Sequence, residues 1–205
     1  MANNHIILCR ANNTPGKRDA TGAFIPEAKA LERLLNERYP DDIVVSSPVR
    51  LSSTRGMKRE PKAEAQYEIA RDVYDWCVND VQARGRLHVL EIRSLSYFCH
   101  GWRKRPEFEL GGLHGAHNCA DKLVRYGVKI FNIFACSTAK PHPDGNFAEW
   151  VARACADRGH SIQVLAHETR GHTTWNARLS IYWSIPSDGG FIVDHQSALS
   201  RDENQ

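Results

Sequence analysis

Two short stretches carry residue types suited to acyl-transfer chemistry. "NIFACSTAK", residues 132–140, is an apolar run that stops at Cys136 and then turns polar. "LSYFCHGW", residues 95–102, stops at His100, followed by Gly101. A thiol beside an imidazole is a nucleophile beside a proton carrier. The imidazole makes thiolate more available and can protonate a leaving amine. Such a reaction also needs donors for a developing oxyanion. Gly101, lacking a side chain, would let its backbone N–H approach a substrate carbonyl, with the N–H of Cys136 as second donor. Cys99 adjoins the histidine, but in a strand its side chain faces the opposite way and reads as core.

Other residues offer weaker chemistry. Glu168 closes "SIQVLAHE" (161–168), so it should lie at the same sheet edge as His100 and Cys136, and would either line a pocket for a basic side chain or stand as a surface carboxylate. Trp183, with Trp175, would wall a substrate groove or cover a sheet edge. "WRKRP" (102–106) would grip a small anionic activator or form a solvated loop. "HETRGH" (167–172) suggests a zinc protease, but the spacing is wrong. HExxH places its histidines at i and i+4 on one helical face, whereas His167 and His172 stand five apart, roughly 140° around a helix. The metal alternative joins them to His114 and His117 of "HGAH" in a metal-dependent hydrolase. The main expectation is a site without metal or cofactor.

The elements that must position these residues alternate along the chain. "HIILCR" (5–10) reads as a buried strand, and "PEAKALERLLNERY" (26–39) as a helix with Pro26 in its first turn. "DIVVSSPV" (42–49) is a second strand, and "KAEAQYEIARDVYDWCVNDVQA" (62–83) a long amphipathic helix. A third strand lies within 87–98 and a helix over 114–126. "VKIFNIFA" (128–135) has the β-branched and aromatic content of a strand covered on both faces. A helix over 146–159, a strand over 161–168, and edge strands in "ARLSIYWSI" and "GFIVD" complete the pattern. Strand–helix alternation implies a mainly parallel sheet with helices on both faces. In such a sheet chemistry gathers at the carboxyl ends of the strands. His100 and Cys136 follow the third and fourth strands, so if those strands are neighbours the two side chains share a rim, about 5 Å apart along the sheet.

Size and composition fit one soluble domain over 1–205, with 201–205 as a loose tail. Of 205 residues, 41% are hydrophobic and 25% charged, ordinary globular usage. A formal charge of +3 is too small to imply a nucleic acid or a membrane surface as partner. No apolar run approaches the roughly 20 residues of a bilayer span, and "MANNHIILCRANN" does not read as a signal peptide. Six scattered cysteines without a CxxC pair then favour reduced thiols in the cytoplasm.

An apolar strand ending in His-Gly, then another ending in Ala-Cys, resembles the caspase-like (clan CD) cysteine peptidases. That group includes caspases, legumain, gingipain, separase and the self-cleaving domains of large clostridial toxins. The matching text is "YFCHG" (97–101) and "IFACS" (133–137), supported by "FELGG" (108–112), "GNFAEWVARAC" (145–155) and "IQVLAHE" (162–168). The resemblance covers residues 87–185 and is nearest to bacterial members and toxin self-cleaving domains. It implies a three-layer α/β sandwich around a central sheet of about six strands, and a protein or peptide substrate. It implies a hydrolase, a thiol protease with Cys136 as nucleophile, His100 as acid–base and Gly101 at the oxyanion. Phe134 and Ala135 precede the cysteine where gingipain- and clostripain-like members carry an acidic residue. Cleavage specificity therefore does not carry over. The basic segment 50–61 would suit self-processing. A non-catalytic binding or scaffolding module on the same fold is the alternative of another class.

Overall fold

The structure is a computed structural model, and it describes residues 3–11, 21–50, 63–85, 91–169 and 178–199. Segment 51–62 and residues His172, Trp175 and 201–205 lie outside the described residues. In chain order the elements are β1 (Asn4–Arg10), α1 (Thr21–Arg38), β2 (Ile43–Val49), α2 (Ala63–Arg84) and β3 (Ile92–Phe98). There follow β4 (Gly101–Trp102), β5 (Arg105–Pro106), α3 (Gly112–Arg125), β6 (Ile130–Phe134) and α4 (Phe147–Ala156). The last are β7 (Ile162–His167), β8 (Arg178–Ser187) and β9 (Gly190–Leu199). No helix among the described residues is long and apolar enough to cross a membrane.

Seven strands form one sheet in the order β2-β1-β3-β6-β7-β8-β9, parallel through β7, with β8 and β9 antiparallel. β3 and β6 are direct neighbours, with Ser94 opposite Ile130 and Phe98 opposite Phe134. The core divides by the two-residue period of the strands. Ile6 and Leu8 of β1 join the larger cluster with residues of α2, α3 and α4, while Ile7 and Cys9 join a smaller one with Phe24 and Ala28 of α1. The two clusters therefore lie on opposite faces of the sheet.

Several elements differ from expectation. α1 begins at Thr21, so Pro26 stands inside the helix rather than in its first turn. Its ring removes one bond, to the carbonyl of Gly22, while burial of Phe24 and Ala28 on either side holds the segment against the sheet. β6 is fully covered on one face only: Phe131 and Ile133 are buried, whereas Asn132 and Phe134 are half-buried. The sheet has seven strands, where the resemblance implies about six. "WRKRP" is not an open loop but the hairpin β4–β5, with Gly101 opposite Pro106 and Trp102 opposite Arg105.

The segment after that hairpin, "EFEL", alternates acid with apolar residue and buries both acids. Glu107 is ion-paired with Arg10 of β1, and Glu109 with Lys122 of α3. Tyr97 donates its hydroxyl to Glu109 Oε1 at 2.6 Å, and Lys122 Nζ lies 2.7 Å from that phenol oxygen. At Gly115 an added methyl would lie 1.9 Å from the Leu110 carbonyl oxygen, so only glycine lets α3 seat against this segment. Replacing Lys122 by Met strands a buried carboxylate. The expected loss is about 3 kcal/mol, read as a lower urea midpoint at unchanged slope.

Candidate active site

The rim at the carboxyl ends of β3 and β6 brings His100-Gly101 beside Cys136. The ladder runs one residue past the strands, where the Cys99 N–H donates to the Phe134 carbonyl at 3.4 Å. A methyl group on Gly101 would stand 2.7 Å from the carbonyl oxygen and 3.0 Å from the nitrogen of Cys136, and 2.8 Å from Ala135 Cβ. The backbones at 101 and 136 are thus in contact, and a residue with a side chain at 101 would force them apart. His100 packs its ring edge-on against Phe24 of α1, with centroids 5.1 Å apart at 77°.

Cys136 differs from the other cysteines in its surroundings. It is half-exposed, whereas Cys9, Cys77, Cys99, Cys119 and Cys155 are buried, and none forms a disulfide. Burial pushes the thiols of Cys9 up to about 11 and of Cys77 and Cys155 up to about 12. The same cause drives Cys99 and Cys119 well above the ordinary range. These five are poor sources of thiolate at neutral pH.

The turn after Cys136 is tightly held. Ser137 adopts φ of 58°, the one positive value at a non-glycine residue among those described. Its N–H donates to the Thr169 carbonyl at 3.0 Å, and the Ala139 N–H to the His167 carbonyl at 2.9 Å. Thr138 Oγ1 donates to the Ala135 carbonyl at 3.0 Å, and the Ala148 N–H to the Thr138 carbonyl at 3.2 Å. Backbone in a sparsely populated region persists only where neighbours over-determine it. Here β7 and the start of α4 do so.

The remaining candidates fall out differently. Glu168 ends at the same rim, but its Oε1 is occupied: Ser180 Oγ donates at 2.7 Å, and Ser197 Oγ donates as well. It is buried and bound to the β8–β9 hairpin rather than standing open to a basic side chain. Trp183 is not at the rim. It pairs with Gln163, whereas the rim end of β7 pairs His167 with Leu179. Four residues of strand, roughly 13 Å, separate those rungs. The three described members of the metal set, His114, His117 and His167, are not brought together either. His114 and His117 are exposed on α3, hydrogen-bonded to Asn118 and Arg158, while His167 is buried in β7. Among the described residues no group of three metal-ligating side chains occurs. The arginines proposed to hold an anion are engaged: Arg103 with the Gly145 carbonyl at 3.0 Å, and Arg105 with Gln66 Oε1 at 2.9 Å and over the Trp102 ring at 5.3 Å.

Three features near the rim escaped the sequence. Phe24 precedes the helix start assigned from the text, so nothing linked it to His100. The Arg10–Glu107 pair joins residues 97 positions apart. His167 is buried beside Phe134, ring centroids 6.1 Å apart, with neither ring nitrogen hydrogen-bonded among the described residues. Burial pushes its imidazole down to about 4.

No protein-family model, curated protein or solved structure matches this chain.

Two outcomes follow from this geometry. Gly101→Ala should lower stability by about 2 kcal/mol in urea unfolding, because the methyl meets backbone rather than a movable side chain. His167 binds a proton in the unfolded chain near pH 6.5 but in the fold only near pH 4, so stability is complete above pH 6.5 and falls as pH drops toward 4. The full loss is about 3 kcal/mol. His167→Leu should flatten that limb of the stability–pH curve.

Proposed function

We propose that this chain is a cysteine endopeptidase of caspase-like architecture, a three-layer sandwich working through a Cys136–His100 dyad. The observation that carries the reading is the seating of His100-Gly101 against the backbone of Cys136 at the rim shared by β3 and β6. Two others support it: Cys136 is the half-exposed cysteine of the six, and a positive-φ residue follows it in a heavily bonded turn. Six free thiols also suit a reducing compartment, consistent with a cytoplasmic site of action.

In this mechanism His100 takes the proton of the Cys136 thiol, and the sulfur attacks the carbonyl carbon of a bound peptide. The carbonyl oxygen gains charge facing the N–H groups of Gly101 and Cys136. Collapse expels the amine, which leaves with the proton held by His100, and a thioester remains on Cys136. Water then surrenders a proton to His100 and attacks the thioester, releasing the acid and restoring the thiol. Phe24, packed on the edge of the imidazole, limits the ring orientations available for these transfers.

A peptide-library cleavage assay tests the reading. Cys136→Ala should leave the unfolding midpoint nearly unchanged and lower hydrolysis by roughly 10³-fold or more, and His100→Ala should behave alike. Undiminished cleavage by Cys136→Ala rejects the assignment. If Cys136 reacts with iodoacetamide no faster than an ordinary thiol, a binding module without turnover becomes the better description.

A further inference from the structure

His100 is held from a side that the dyad does not explain. Its carbonyl accepts the N–H of Glu107 at 2.8 Å, closing the base of the β4–β5 hairpin. The carboxylate of Glu107 is ion-paired with Arg10, the last residue of β1, whose neighbour Cys9 stands opposite Phe98 in β3. Gln66 of α2 donates to the same carboxylate at 3.4 Å and accepts from Arg105 at 2.9 Å. Arg10, Gln66 and Glu107 are all buried. Glu107 Oε2 is buried without a hydrogen-bond partner among the described residues.

Stability is a poor account of this cluster. Two charges withdrawn from water lose hydration that their mutual attraction barely returns, and apolar residues of similar volume commonly hold a fold equally well. An ion pair differs from an apolar contact in being directional. It fixes where the two chains stand, not merely that they touch.

We propose that Arg10 and Glu107 are positioning residues for His100: the buried pair locks the hairpin base to β1 and so holds the His100-Gly101 backbone against Cys136. This rests on the cysteine peptidase reading above. Misplacement of a reacting group by about 1 Å lowers turnover on the order of a hundredfold, so a loosened hairpin should appear in kcat before it appears in KM.

The test replaces both charges at once, Arg10→Met with Glu107→Leu, and compares the double variant with the native chain. Three readouts are taken: Tm, kcat and KM on a peptide the native chain cleaves, and the pH dependence of Cys136 alkylation by iodoacetamide. The expected result is Tm within about 5 °C of native, kcat lower by at least about tenfold and KM within about threefold. The alkylation profile should move toward that of an ordinary thiol. A purely structural pair gives the other result, native kcat and a native alkylation profile wherever Tm is native, and that overturns the proposal. Should the double variant fail to fold, Arg10→Lys keeps the charge but loses the guanidinium geometry. A folded Arg10→Lys protein with native kcat overturns the proposal equally. A native chain that cleaves no peptide and alkylates at an ordinary rate defeats the peptidase reading and this inference together. Native activity with an unaffected double variant defeats this inference alone.

Discussion

β3 and β6 run parallel and in step for five rungs, and that alignment decides what stands at their ends. A slip of one residue would turn every side chain of one strand to the other face and move Cys136 off the rung that faces Gly101. The alignment is held by what flanks it. Phe98 and Phe134 stack on one face with centroids 4.6 Å apart, while Tyr97 and Phe131 pack edge-on on the other at 5.0 Å. Asn132 adds a hydrogen bond to Ser96 at 3.0 Å across the same pair of strands. Beyond the last rung the strands approach so closely that glycine is required at 101. Contact at the rim is a property of backbone spacing first and of side-chain chemistry second.

Much of this arrangement was legible because it rests on patterns with short reach. The alternation of apolar strands and amphipathic helices marks β1, β2, α2, β6 and β7 to within about two residues and α4 to within about three, since each is long enough to show its period. The polar stops after Phe98 and Phe134 mark strand ends, and parallel topology then requires those ends to lie on one side of the sheet. What stayed hidden depends on distance along the chain. Two-residue strands such as β4 and β5 have no period to detect. Glu168 was read correctly as a rim residue, but its capture by Ser180 and Ser197 belongs to β8 and β9, whose antiparallel register the text does not print. Trp183 was read as walling a substrate groove or covering a sheet edge, and the same register carries it to the far end of β7 from the rim. The early start of α1 was masked by Pro26, a residue that ordinarily opens a helix.

The electrostatic character of the molecule is uneven. The larger apolar core carries two buried acids, Glu107 and Glu109, two residues apart, each met by a cation from a different element. Tyr74 and Tyr97 border the second pair, with Lys122 Nζ above their rings at 5.2 and 5.4 Å. Segment 105–109 is thereby tied to β1, α2, β3 and α3 at once. On the opposite face His5, in step with Ile7 and Cys9, lies 3.0 Å from Asp42 and 2.7 Å from Ser94. There Phe24, Phe98 and Phe134 form an aromatic floor, and the buried His167 beside it stays uncharged through most of the physiological range. The rim sits between a side with two buried ion pairs and a side floored by aromatic rings.

The crossover between β3 and β6 has a temporal consequence. Cys136 and His100 belong to strands that meet only after the hairpin, α3 and the return to the sheet have all been made, and β1 must already lie beside β3 to offer Arg10. During synthesis, a chain that has emerged only as far as residue 100 holds the imidazole without the sulfur, so the contact between the two segments waits on the return strand. The closeness of the two segments is thus a product of the completed crossover rather than of either strand alone.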